Sequence, residues 1–198
     1  GLIAEWRLSD ALTIKSITGY RDWKNQLDGA DLDGNVILLP LPPSFEPQQY
    51  PLFHGVNTRK QHQISEELQL LADFGRWRFI SGLYFFEEDA SEFNPQTFAS
   101  GVEVMTVPFV YETTARSSAA FSQLSYEVTP DLKLTVGARY TQDDKELLKT
   151  LYGNIRVNPD PLGTLYAEND WSRFNWMVSA DYSFTDGVLG YAKVSTGY

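Results

Sequence analysis

The chain has 198 residues and a formal net charge of −10, from 16 basic and 26 acidic side chains. Phosphate binding requires clustered Lys and Arg, so this charge balance argues against a nucleic-acid partner. The absence of Cys excludes disulfides, thiolate metal sites and Cys nucleophiles. The longest apolar stretch, residues 36–39, ends at Pro40, which excludes a transmembrane helix.

Eight antiparallel strands are predicted in chain order from the alternation of apolar and polar residues. They cover residues 2–8, 12–23, 61–72, 76–89, 114–128, 132–143, 171–184 and 188–198. The clearest alternation places Leu134 and Val136 on one face and Lys133 and Arg139 on the other. Several strands reach the roughly nine to eleven residues that a tilted strand needs to cross a bilayer. No helical stripe persists beyond two turns, so the chain is predicted to be all-β.

Short and long connections alternate along these strands. Compact turns rich in Gly, Pro and Asp are predicted at residues 9–10, 73–75, 129–131 and 185–187. Long polar loops are predicted at about 24–60, 90–113 and 144–170. Four hairpins with minimal turns at one end and long loops at the other are typical of an up-and-down transmembrane β-barrel, with its short turns in the periplasm and its long loops outside.

Aromatic residues are concentrated near both ends of the predicted strands, where two membrane interfaces would lie. The group near the tight turns is Trp6, Phe74, Trp77, Tyr126, Tyr182 and Phe184. The group near the long loops is Tyr20, Trp23, Tyr84, Phe85, Tyr140, Trp171 and Phe174. An aromatic-rich soluble β-sandwich has the same alternation, but it explains neither the strand length nor the asymmetry of the connections.

Four stretches resemble the barrel of TonB-dependent outer-membrane receptors. They read WRLSDALTIKSITGY (6–20), ISEELQLLADFGRWRFISGLYFFEED (64–89), FSQLSYEVTPDLKLTVGARYTQDDKE (121–146) and WMVSADYSFTDGVLGYAKVSTGY (176–198). The specific combination is an aromatic residue, a Thr-Asp or Thr-Pro-Asp turn, and Gly-x-Arg-Tyr followed by acidic residues. The resemblance covers the predicted strands and is lost in the loops.

The resemblance implies a larger barrel of about 22 strands that encloses an N-terminal plug domain. It implies a non-enzymatic transporter in the outer membrane of a Gram-negative bacterium, which takes up a scarce ligand such as a ferric siderophore and is energised by TonB, ExbB and ExbD. We expect residues 1–198 to form part of the barrel, with the plug, the TonB box and the signal peptide outside them. The competing interpretations are a complete eight-stranded outer-membrane barrel, acting as an adhesin, anchor or small pore, and a soluble β-rich binding module.

Charged residues opposite the apolar band are the candidate functional residues, because an Arg or Lys facing lipid near the midplane costs about 2–4 kcal/mol. Alternation therefore assigns six of them to the lumen: Lys15, Arg21, Glu127, Lys133, Arg139 and Asp181. They either solvate the lumen and contact the plug, or line a path for a polar ligand.

No catalytic, cofactor or metal site is predicted, although three groups of residues have the composition of such a site. The acidic runs at 87–89 and 143–144 have paired carboxylates, but such charges also solvate strand ends. Asp28, Asp31, Asp33 and Asn35 have the oxygen density of a Ca²⁺ loop without its register, and a turn-rich loop is the alternative. His54 and His62 are either metal ligands or polar loop residues.

Overall fold

A computed structural model of the chain describes residues 1–31, 34, 36–40, 45–100 and 103–197. These residues form ten strands: β1 (Leu2–Ser9), β2 (Leu12–Asp31), β3 (Val36–Pro40), β4 (Pro47–Pro51), β5 (Phe53–Asp73), β6 (Trp77–Ser100), β7 (Glu103–Glu127), β8 (Leu132–Leu151), β9 (Gly163–Thr185) and β10 (Val188–Ser195). Within the described ranges there is no helix long and apolar enough to cross a membrane. The all-β prediction is confirmed.

Eight of the strands form one antiparallel sheet in the order β1-β2-β5-β6-β7-β8-β9-β10. Neighbours in the sheet follow one another along the chain, apart from β3 and β4, which form a separate two-stranded sheet between β2 and β5. In the described part of the chain, β1 and β10 are the two edges of the large sheet, so the sheet is open. The eight predicted strands all correspond to strands of this sheet.

Local side-chain chemistry explains the tight turns at one end of the sheet. At the β5–β6 turn, Gly75 has a φ of 71°, and its amide donates to Asp73 Oδ1 at 3.0 Å. Glycine adopts this left-handed conformation without a Cβ clash. At the β7–β8 turn, the amide of Leu132 donates to Thr129 Oγ1 at 3.0 Å. These turns are where the sequence predicted them.

The long loops predicted at the other end are largely strand, and this part of the prediction was wrong. β6 and β7 stay paired from Trp77 opposite Tyr126 to Ser100 opposite Glu103, so most of residues 90–113 is hairpin. β2 extends to Asp31, β5 begins at Phe53, and the connection from β8 to β9 is reduced to residues 152–162. Apolar and polar residues do not alternate regularly in these extensions, and residues 104–111 carry apolar side chains on both faces. The pattern that marks a membrane strand is therefore missing from them.

Two prolines made residues 90–113 look like a loop, because proline cannot donate to a sheet ladder. Pro95 and Pro108 lie directly opposite each other in β6 and β7. β8 ends beside this point, since its last pair is Leu151 with Phe109. On the other side, the β5–β6 register has no pair for residues 94 and 95. Each proline therefore lies where its second neighbouring strand makes no ladder bond.

The two faces of the sheet differ in exposure. On β8, Leu134, Val136 and Tyr140 are 40%, 47% and 45% exposed, whereas Thr135 and Thr141 are 6% and 8% exposed. The same alternation runs along β5. We call the side of Thr135 the covered face and the side of Val136 the exposed face. Register extends both faces across the sheet, since Val136 pairs with Leu124 on β7 and Val178 on β9.

Candidate functional site

The covered face carries all six charged residues that were assigned to the lumen, and four of them form ion pairs at the tight-turn end of the sheet. Lys133 Nζ lies 2.8 Å from Asp181 Oδ2, across the β8–β9 ladder. Lys15 contacts Glu5 at 2.9 Å, across β1 and β2. Glu127 accepts from Arg78 Nη2 at 3.0 Å. Each residue thus lies beside an opposite charge supplied by the adjacent strand.

Arg139 has a different environment, because its guanidinium lies over aromatic rings. Its Cζ is 5.4 Å from the ring centroid of Tyr84 and 5.8 Å from that of Phe121, and its Nε donates to Thr141 Oγ1 at 3.1 Å. Phe121 in turn covers Gly82, where an added Cβ would be 2.5 Å from the Phe121 Cζ. The glycine thus makes room for the ring, and the ring holds the cation.

A pocket of about 330 Å³ adjoins Arg139 on the covered face. Its lining includes Phe121, Asn175, Met177 and Lys193. Arg21, the remaining predicted residue, also lies on the covered face, opposite Gln63, and its side chain is accessible to solvent. The six predicted residues therefore share a face, but they do not converge on one site.

A second group on the covered face, the outer cluster, lies near the far end of the sheet and consists of Asn57, Arg59, Glu92 and Asn94. One oxygen of Glu92, Oε1, accepts from Asn57 Nδ2 at 2.7 Å, Arg59 Nη2 at 3.1 Å and Asn94 Nδ2 at 3.4 Å. Partial burial raises the pKa of Glu92, but the hydrogen bonds from Arg59 and Asn57 outweigh it, so the pKa lies below its ordinary value. The carboxylate is therefore ionised and well held.

Aromatic and cationic side chains surround the outer cluster. A pocket of about 220 Å³ is lined by Trp23, Arg59, Glu92 and Tyr111, among others. Lys149 Nζ lies 5.3 Å from the ring centroid of Tyr111. Asn57 Oδ1 is buried and accepts no hydrogen bond within the described residues. A bound molecule with a donor group and negative charge would find complementary partners here.

Sequence reasoning missed the outer cluster because its residues fall in the stretches predicted as loops. The available signal was the spacing of Asn57, Arg59 and Gln61, which places polar side chains on alternate positions just before the predicted strand at 61–72. Without an apolar partner face, that spacing does not identify a strand.

Adjacent carboxylates of the acidic runs point to opposite faces, and Glu87 and Asp89, which share the exposed face, are held by different partners, Arg116 and Thr114. Glu87 faces the exposed side and contacts Arg116 at 3.0 Å, and Arg116 also lies 3.6 Å from Glu146. Glu88 faces the covered side and accepts from Gln61. Asp143 and Asp144 likewise point to opposite faces, as adjacent residues of a strand do. This separation favours the interpretation of solvated strand ends.

The side chains considered as possible metal ligands, for which the sequence favoured plain loop residues, are not brought together in the described part of the chain. His54 and His62 are eight residues apart on one strand, about 27 Å along it. His62 packs edge-on against Tyr20, with ring centroids 5.3 Å apart. Of the Asp-rich segment, Asp33 and Asn35 lie outside the described residues. The described residues contain no cluster of three or more His, Asp or Glu side chains able to hold a metal ion.

Solved structures with a similar fold include the ferric yersiniabactin uptake receptor FyuA from Yersinia pestis, with a TM-score of 0.71 and 15% identity over 96% of this chain and 26% of that chain. The siderophore receptor PiuA from Acinetobacter baumannii matches with a TM-score of 0.61 and 12% identity, over 96% and 30% of the two chains. The ferric-catecholate import receptor Fiu from E. coli K12, in its open form, matches with a TM-score of 0.60 and 12% identity, over 98% of this chain and 34% of that chain.

This chain thus spans about a quarter to a third of the length of these receptors, and at such identities the likeness shows the fold. No curated protein matches the chain. The family model described as TonB dependent receptor-like, beta-barrel, matches residues 1–198. The sheet order, the two distinct faces and this match over the whole sequence agree with one another, and the chain belongs to the β-barrel family of TonB-dependent receptors.

Proposed function

We propose that the protein containing this segment is an outer-membrane receptor that takes up a ferric siderophore, energised by TonB, ExbB and ExbD through a plug domain outside residues 1–198. The observation that carries the proposal is the family match along the whole chain. Support for the ligand class comes from the three similar structures, which are a ferric yersiniabactin receptor, a ferric-catecholate receptor and a siderophore receptor. The family consists of receptors and transporters of the Gram-negative outer membrane, and not of enzymes.

In this proposal the outer cluster and its surroundings contribute to ligand capture. Lys149 supplies positive charge, Arg59 supplies donor groups although its charge is paired with Glu92 at 3.1 Å, and Trp23 and Tyr111 supply aromatic surface. Asn57 Oδ1 offers an acceptor that no described residue fills. Cations next to aromatic rings suit a ligand with negative charge and flat chelating groups.

The ion pairs near the tight turns have a different role in the proposal. Lys133 with Asp181 and Lys15 with Glu5 neutralise each other across neighbouring strands, so they make the lumen wall polar without leaving a net charge there. Such a wall suits contact with a polar plug. Arg139, held over Tyr84 and Phe121, is proposed to support the packing of the wall rather than to bind the ligand.

The test is uptake of a labelled ferric siderophore by cells that express the full-length receptor as their only siderophore receptor. We expect uptake to require TonB and to fall when Arg59 and Lys149 are both replaced by Gln. Lys60→Gln is the matched control, because Lys60 follows Arg59 in the chain but lies on the opposite face. Uptake that continues without TonB, or that falls equally in the control, would contradict the proposal.

The alternative of a complete small barrel predicts a different polypeptide mass. We expect the native protein in an outer-membrane fraction to give a heat-modifiable band several times heavier than the 22.5 kDa of this chain. A heat-modifiable band near that mass would indicate an eight-stranded barrel acting as an adhesin, anchor or small pore, and would overturn the transporter proposal.

A further inference from the structure

Two lysines face each other across the β2–β5 ladder. Lys24 lies directly opposite Lys60, and both are exposed. Like charges in directly opposite positions destabilise a sheet. Among the described residues, the ion pairs include neither lysine. Neither ammonium group is therefore held in an ion pair with a described carboxylate, and both can contact a bound anion.

The lysine pair lies just outside the membrane band, on the membrane side of the sheet. Lys24 shares the exposed face with Tyr20, four residues before it on the same strand. Phe85, Tyr140 and Phe174 are exposed on the same face of other strands, and of these Tyr140 and Phe174 lie directly opposite each other. Four residues span about 13 Å along a strand, or about 10 Å along the membrane normal at a tilt near 40°. Since Tyr and Trp side chains at strand ends mark the level of the headgroups, a lysine four residues beyond Tyr20 reaches the headgroup layer and the region directly above it.

A pocket of about 520 Å³ lies between this lysine row and the row below it. The upper row across four strands is Lys24, Lys60, Ser91 and Glu112, and the lower row is Asp22, His62, Asp89 and Thr114. Alternation places both rows on the exposed face, with the row between them as the floor. The pocket therefore opens toward the outer-leaflet lipids and not toward the lumen.

The mixture of charges in this pocket selects between kinds of anion. Asp89 already accepts from Thr114 at 2.7 Å, but Asp22 and Glu112 are acceptors that would repel a bare phosphate. A phosphorylated sugar offers both complements, because its phosphate suits the lysines and its hydroxyl groups donate to the carboxylates. The pocket volume is also in the range of a small-molecule site.

We propose that this pocket binds the phosphorylated sugar headgroup of an outer-leaflet glycolipid, with Lys24 and Lys60 holding the phosphate and Asp22 and Glu112 accepting hydroxyl hydrogen bonds. The site is on the opposite face from the residues proposed for ligand uptake and does not depend on them. It gives this side of the barrel a specific lipid neighbour.

The test uses the full-length receptor in detergent, with binding followed by native mass spectrometry. The probes are a bis-phosphorylated diglucosamine lipid, its dephosphorylated form and inorganic phosphate. We expect the double variant Lys24→Gln with Lys60→Gln to weaken binding of the phosphorylated lipid by about tenfold to thirtyfold. Lys149→Gln is the control, because Lys149 lies one row higher on the covered face and should leave this binding unchanged.

Equal affinity for the phosphorylated and dephosphorylated lipids would overturn the proposal, as would an unchanged affinity in the double variant. Displacement of the lipid by inorganic phosphate at comparable concentration would also overturn it, since the site would then bind a free anion. The variant Lys24→Glu distinguishes lipid binding by the lysine pair from a purely structural role of these two residues. It should raise the unfolding temperature in lipid-free detergent, by pairing with Lys60, and at the same time weaken lipid binding. Tighter lipid binding in this variant would refute the assignment.

Discussion

A charge placed on the exposed face should be far more damaging than the same charge placed on the covered face. Val136 lies between Leu124 and Val178, four residues from both Leu132 and Tyr140, and is therefore near the middle of the apolar band. An Arg at the midplane of a lipid-facing strand costs about 2–4 kcal/mol. Val136→Arg should thus lower the folded-to-unfolded ratio by about 30- to 700-fold.

Gln123→Arg is the matched control for this change. Gln123 precedes Leu124 on β7, faces the covered side and lies opposite Gly137, which has no side chain to obstruct a longer neighbour. We expect it to change the free energy of unfolding by less than about 0.5 kcal/mol. The assay is urea unfolding of the full-length receptor in lipid vesicles, followed by the heat-modifiable gel shift. Equal losses in the two variants would refute the assignment of the faces.

Three further predictions concern the covered face. Arg139→Leu removes two cation–π contacts and should cost about 1–2 kcal/mol of unfolding free energy while leaving siderophore affinity unchanged in a binding assay. Gly82→Ala should cost about 1–3 kcal/mol in the unfolding assay, because the new Cβ would lie 2.5 Å from the Phe121 ring and 2.7 Å from the Leu68 carbonyl oxygen. The lowered pKa of Glu92 stabilises the outer cluster above its ordinary value of 4.5, and this stability is lost as the pH falls through the lower folded-state pKa. Glu92→Gln should abolish that pH response, measured as amide-exchange protection of outer β5 and β6.

Each of these predictions has its own control. Arg139→Lys keeps a cation near the rings and should recover part of the stability, whereas lost siderophore binding with intact assembly would contradict the packing role. Gly137→Ala would bring its Cβ to 3.0 Å from Met177 Cγ, in a flexible side chain, so it should cost less than Gly82→Ala. Equal costs would contradict the contact argument. Glu112→Gln is the control for Glu92, because Glu112 is exposed on the other face; an identical pH response in both variants would contradict the assigned cause.

The membrane part of the fold was predictable because one physical requirement repeats along it. A strand with lipid on one side and a polar lumen on the other must alternate apolar and polar residues. The strand Leu132–Leu151 begins with that pattern. The turn at Asp73 and Gly75 was equally predictable from the sequence, because its side-chain hydrogen bond and its positive φ require those residue types. Both signals are local in sequence.

The outer parts of the strands carry no such requirement. Thr97 and Thr106 share a hydroxyl hydrogen bond of 3.0 Å across β6 and β7, but a Thr-to-Thr pair nine residues apart has no recognisable signature in one sequence. The hairpin of β3 and β4 was missed for a similar reason. Its prolines, at 40, 47 and 51, are typical of loops, and here they occupy the ends of two short strands.

The candidate site was also predictable only in part: the sequence predicts which face a residue lies on but not which residues it contacts. The faces of Lys15, Lys133 and Arg139 came directly from alternation, and the structure places all three on the covered side. Their partners Glu5 and Asp181 depend on strand register, which periodicity leaves undetermined. The outer cluster needs both register and the strand extensions, so sequence reasoning did not reach it.

The length of the paired strands has a consequence for how such a receptor diversifies. β7 has 25 residues, about 85 Å along the strand and about 65 Å along the membrane normal at a tilt near 40°, whereas the apolar band of an outer-membrane barrel is about 25 Å tall. Much of each strand therefore lies outside the membrane, in water. There the strands are held together by backbone hydrogen bonds, which do not depend on the identity of the side chains. Residues such as Arg59 and Tyr111 can be exchanged there without redesign of the scaffold. Under the proposed function, substitutions around the outer cluster can therefore change the ligand preference while the backbone pairing of the strands is kept.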